Sequence, residues 1–91
     1  MAGRLLRVRG RVQGVGFRDA CVQAARAEGL AGWVRNRPDG SVELFIAGEA
    51  ARLDAFAAWL HHGVPFARVD GVEAIEADDV EVRGFERRPT L

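Results

Sequence analysis

Residues 4–12 alternate between apolar and charged positions: Leu6, Val8, Gly10 and Val12 fall on one side, Arg7, Arg9 and Arg11 on the other. A period of two is that of a strand with one face buried and the other in water, and the ordinary place for the three arginines is the solvated face. Gln13-Gly14-Val15-Gly16 breaks the alternation. From Phe17 the period lengthens. Phe17, Cys21, Ala24, Ala25 and Glu28 recur at helical spacing and Gly29 supplies a C-terminal stop, which predicts a helix over 17–28. Strands follow at 31–37 and 41–47, the latter with Val42, Leu44 and Ile46 turned inward. Pro38-Asp39-Gly40 between them predicts a hairpin. A second helix is expected over 49–62, with Leu53, Phe56, Ala57 and Leu60 as its apolar stripe, Trp59 packing at the margin and Gly63 as its stop. Val64-Pro65 reads as a loop. Residues 68–77 and about 80–87 are strand-like, and Asp78-Asp79 between them reads as a solvated turn.

The order is βαββαβ with a short terminal strand, an α+β chain on the ferredoxin-like plan: two helices on one face of an antiparallel sheet. In its usual strand order, 4-1-3-2, strands one and two run parallel with strand three between them. Their C-terminal ends then share one sheet edge. This puts the loop Gln13–Arg18 roughly 10 Å from Asn36, at about 4.8 Å per strand step, a gap that suits one small ligand and a water. Asn36 itself is expected at an accessible strand end.

Composition narrows the ligand. With 91 residues and 48% hydrophobic content the chain, residues 1–91, is expected to be a single domain with one core. A lone cysteine, Cys21, excludes an internal disulfide and makes a reducing compartment the default. No apolar run approaches the roughly 18 residues of a membrane span, and Met1–Arg9 lacks a signal-peptide pattern, so a cytoplasmic protein without a membrane partner is expected. Net charge is zero but unevenly placed. Residues 1–37 hold eight arginines and two acids; residues 38–91 hold five arginines and eleven acids. A basic half in a neutral chain points to a small anion more than to nucleic acid. Lysine is absent from the sequence, which excludes a lysine Schiff base and any lysine-dependent phosphate loop.

The break at Gln13–Arg18 carries the chemistry. Gly14 and Gly16 permit backbone conformations barred to other residues and stand just before a helix, whose first N–H groups lack internal partners. Val15, Gly16, Phe17 and Arg18 can therefore present consecutive donors to an anion, with the Arg18 guanidinium as a planar fork for two phosphate oxygens. Taken alone, such a loop is also compatible with a tight strand-to-helix turn beside a surface arginine.

The full string Gly10-Arg11-Val12-Gln13-Gly14-Val15-Gly16-Phe17-Arg18 resembles the signature of the acylphosphatases. Gly32-Trp33-Val34-Arg35-Asn36-Arg37-Pro38-Asp39-Gly40-Ser41-Val42 is similar to that family's second hallmark, at the expected distance. Gly29-Leu30, the Leu60 to Val69 stretch and Gly84-Phe85 extend the resemblance over almost the whole chain. Val64, where a proline is common, and Cys21, at a variable helix position, are the minor departures. The resemblance implies that Arg18 and the amides of Val15 to Arg18 bind the substrate phosphate and that Asn36 orients the attacking water. It also implies hydrolysis of a small-molecule acyl phosphate to a carboxylate and inorganic phosphate, with no metal and no cofactor. The chemistry is coherent on its own terms. A carboxylate departs without a general acid, and phosphoryl charge can be met by N–H groups and one arginine. An amide such as Asn36 holds a water but cannot take its proton near neutral pH, which then passes to a phosphate oxygen.

Other readings are weaker. Cys21 lies inside the first helix with four residues before Arg26, not ahead of a glycine loop, so a packed thiol fits better than a phosphatase nucleophile. Adjacent His61 and His62 point about 100° apart on a helix and chelate poorly. Asp19 in a first helical turn fits dipole compensation better than a base. A nucleic-acid module on this plan would need exposed aromatics on the sheet, where strand one has arginines and strand three only Phe45. The end of the chain at Leu91 and the charged outer sheet face lead to the expectation of a stand-alone, monomeric enzyme.

Overall fold

The structure, a computed structural model, describes residues 2–77 and 82–91. The elements are β1 (Ala2–Arg11), α1 (Phe17–Ala27), β2 (Ala31–Asn36), β3 (Val42–Gly48), α2 (Ala50–Leu60), β4 (Arg68–Ala77) and β5 (Phe85–Arg87). The sheet order is β4-β1-β3-β2-β5. It contains the expected 4-1-3-2 arrangement in antiparallel pairs, and adds β5 parallel to β2, so the five-stranded sheet is mixed. The strand-like segment expected over about 80–87 is confirmed only at 85–87. Residues 78–81, including the expected Asp78-Asp79 turn, lie outside the described residues.

The alternation along the strands sorts into two faces. On the helix side the register aligns Leu6 with Leu44 and Val34, and Val8 with Val42 and Asn36. Phe17, Cys21 and Ala25 of α1 and Leu53, Phe56 and Leu60 of α2 close over this face, all of them buried. Burying Phe17, 1% exposed, contributes about 1.5–3 kcal/mol and fixes where α1 starts. Trp59 stacks on Phe56 with centroids 5.6 Å apart, a packing residue as expected.

On the outer face Arg9 and Arg11 are exposed, as expected, and Arg7 is partly so, but the middle strand is sealed. Every residue of β3 is buried, Glu43 and Phe45 included, each 4% exposed. Long neighbouring side chains lie over them. Glu43 accepts from Arg35 at 2.7 Å and Arg37 at 3.0 Å, with Arg7 at 3.8 Å. Phe45 packs against Trp33, whose ring also carries the guanidinium groups of Arg35 and Arg88 at 4.7 and 5.0 Å. The register makes a cross-strand row Glu73, Arg7, Glu43, Arg35 of alternating sign. No helix among the described residues is long and apolar enough to cross a membrane.

Candidate active site

The loop from β1 to α1 turns on two glycines. Gly14 and Gly16 both have φ of 76°, in the left-handed region. An added Cβ would meet nothing within 4 Å at either position, so the conformation itself requires glycine here. Gly16 caps α1 without a side chain, and its carbonyl accepts the first helical bond from Ala20 at 3.1 Å. The N–H groups of Val15, Gly16, Phe17, Arg18 and Asp19 have no acceptor among the described residues. They form a row of unmet donors at the positive end of a helix dipole. Phe17 contributes only its amide, because its ring is in the core.

Arg18 is half-buried and makes no ion pair or side-chain hydrogen bond among the described residues. It lines a cavity of about 200 Å³ with Val12, Gly14, Gly16, Phe17, Asp19 and Arg87. Asp19 is held in an ion pair. Its carboxylate accepts from Arg87 of β5 at 3.0 Å. Sequence reasoning assigned Arg87 nothing, because no local pattern ties residue 87 to residue 19.

Asn36 ends β2 in the same cross-strand row as Val42 and Val8, two strand spacings (about 10 Å) from β1, on the helix-facing side. Its expected accessibility is corrected: Asn36 is 9% exposed. It lies in the helix-facing row with the buried Val42 and Val8, and the C-terminal segment docks along the same strand, its Leu91 N–H donating to the Asn36 carbonyl at 3.1 Å and its Arg88 N–H to that of Val34 at 2.8 Å. The Asn36 side-chain Oδ1 is buried without a hydrogen-bond partner, an arrangement that costs stability unless a ligand or water fills it.

Gln13 links the two halves of the site and was missed as a single residue. Its Nε2 donates to the carbonyls of Arg37 at 2.8 Å and Ser41 at 2.9 Å. The base of the glycine loop is thereby tied to the hairpin one residue beyond Asn36. The hairpin is fixed in turn by Asp39, which accepts from the hydroxyl and the N–H of Ser41. Those two bonds, the hydroxyl first, hold the Asp39 carboxyl below its ordinary range.

Cys21, His61 and His62 stay outside the site. Cys21 is fully buried, and burial pushes its thiol pKa far up, the opposite of an activated nucleophile. His61 and His62 are exposed with ring centroids 6.1 Å apart, and no group of three metal-ligating side chains occurs among the described residues.

Fold and loop together define a small α+β protein with a row of unmet N–H donors at the end of its first strand. The family model described as Acylphosphatase matches residues 5–87. Acylphosphatase 1 of Ralstonia nicotianae is 54% identical over 97% of this chain and 88% of its own. The acylphosphatase of Azoarcus sp. is 48% identical over 99% and 92%. The crystal structure of acylphosphatase from Bacillus subtilis superposes with a TM-score of 0.93 at 37% identity, covering 97% of this chain and 99% of that one. The chain belongs to the acylphosphatase family, enzymes that hydrolyse acyl phosphates.

Proposed function

We propose that this enzyme cleaves the carboxyl-phosphate bond by direct attack of water on phosphorus, without a metal or a covalent intermediate. Arg18 and the amides of Val15, Gly16, Phe17 and Arg18 hold the phosphoryl group; Asn36 holds the water. The observation that carries this reading is the row of unmet N–H donors beside one uncommitted arginine. Charge gathering on the phosphoryl oxygens meets donors already in place, so little reorganisation is needed as the bond breaks. The carboxylate leaves unaided. The Cys21 thiol is sealed in the core, which supports water as the nucleophile. Inorganic phosphate, the product, rebinds the same cradle as a competitive inhibitor. Residues 1–91 act as one domain in this reading, monomeric and cytoplasmic, with a small acyl phosphate as the only partner. The covered Phe45 and the arginines committed to Glu43 leave the sheet face unsuited to stacking nucleic-acid bases.

Hydrolysis of acetyl phosphate in ¹⁸O-water, with an alkyl phosphate monoester and a chelator as controls, tests the mechanism. The label is expected in phosphate and not in acetate, with negligible monoester turnover and full activity after chelation. Label in acetate, or comparable monoester cleavage, would overturn it.

A further inference from the structure

Arg18 is not the only guanidinium at the phosphate cavity. Arg87 lines the same space of about 200 Å³ from the opposite element, β5. The β2–β5 register pairs Arg87 with Val34, and the buried Phe85 two residues earlier places both on the helix-facing side of the sheet. From there Arg87 extends past the sheet edge to the first turn of α1.

Its one ion pair among the described residues uses Nη1 alone, 3.0 Å from Asp19. The two side chains are 51% and 66% exposed, and a pair this open to water contributes little stability. A guanidinium has five N–H donors. Nε and Nη2 of Arg87 are thus available to a second anionic group, and the Asp19 carboxylate shows that a carboxylate fits at this wall. The phosphoryl group has no call on Arg87, because the amide row and Arg18 already supply its donors.

We infer that Arg87 determines specificity by reading a negative charge on the acyl portion, so that the preferred substrates are short acyl phosphates bearing a second carboxylate. This rests on the cradle holding phosphate as proposed above. Asp19 holds the Arg87 side chain at the cavity wall between turnovers and competes mildly with the incoming carboxylate.

Succinyl phosphate and butyryl phosphate, which share a four-carbon chain and differ in the terminal carboxylate, test the assignment. The wild-type enzyme is expected to favour succinyl phosphate in kcat/KM. Arg87→Met should lower kcat/KM for succinyl phosphate roughly fivefold more than for butyryl phosphate, the scale of a partly exposed ion pair. Arg87→Lys should keep most of the preference, because one exposed charge suffices, and Arg87→Glu should reverse it. The preference should shrink as ionic strength rises through the range where the screening length falls below about 8 Å. Equal losses on both substrates in Arg87→Met, or no loss on either, would overturn the role of Arg87 while leaving the phosphate cradle intact. If the wild-type enzyme cleaved neither substrate, the cradle itself would be wrong, and this inference with it. Inhibition by inorganic phosphate, measured on each variant, reports whether the cradle has kept its shape.

Discussion

Arg18 and Arg37 flank the same edge of the sheet and are treated in opposite ways. Arg37, with Arg7 and Arg35, closes on the buried carboxylate of Glu43 and is held there. Arg18 stands among amides that have no acceptor and has none of its own among the described residues. One region has met its charges internally; the other has left a surplus of donors facing a cavity. The side-chain chemistry is the same in both. What separates the two is that the fold sets the buried Glu43 carboxylate against Arg37 and, among the described residues, none against Arg18.

That contrast can be broken from either side, and removing the uncommitted arginine should have the largest effect. Arg18→Ala is expected to lower kcat/KM by about 10²–10³-fold and to weaken inhibition by inorganic phosphate in step. Arg18→Lys should recover little, since a point charge does not reproduce the planar fork. Wild-type phosphate inhibition in Arg18→Ala would remove Arg18 from the cradle.

Asn36→Ala comes next, with kcat down about a hundredfold and phosphate inhibition within a few-fold of wild type. Its stability should change by less than about 1 kcal/mol, because the Oδ1 removed has no protein partner to leave behind. Asn36→Asp should also fail, since a fixed negative charge opposes the incoming phosphate. Parallel loss of turnover and phosphate affinity in Asn36→Ala would show that it binds the ligand and not the water.

Gly16→Ala probes the backbone that holds the donors open. Alanine at φ 76° costs about 1–2 kcal/mol. A lower melting temperature and a several-fold weaker phosphate inhibition are expected, read by thermal unfolding and inhibition kinetics on one preparation. The smallest effect on activity should come from the satisfied region. Glu43→Gln is expected to leave kcat/KM within about twofold of wild type while lowering stability by about 1–3 kcal/mol, because three arginines lose a buried charged partner. A large loss of activity with little loss of stability would mean that the outer sheet face takes part in catalysis.

The order of elements, the helix-facing core and the two-glycine loop were legible in the sequence because each rests on local chemistry. Alternation at Leu6, Val8 and Val12 follows from the pleat, Gly14 and Gly16 from a backbone angle, and Phe17 from helical spacing. The parallel docking of β5 on β2, the pairing of the C-terminal segment with Asn36 and the sealing of Glu43 were not. The first two join residues far apart in the chain, the third depends on hairpin register, and no period or motif encodes either. The charge row on the outer face makes the same point. Arg7, Glu43, Arg35 and Glu73 are unremarkable in their own strands and become a single array only when register sets them side by side. By itself, then, the sequence determined the strands, the helices, the two-glycine loop and the amide of Asn36, because short-range sterics and periodicity act within a few residues. Only the tertiary structure decided which arginines were neutralised, that Gln13 ties the glycine loop to the hairpin, and that Arg87 lines one cavity with Arg18. Electrostatic and hydrogen-bond partners are chosen by distance in space, and that distance exists only once the sheet has formed.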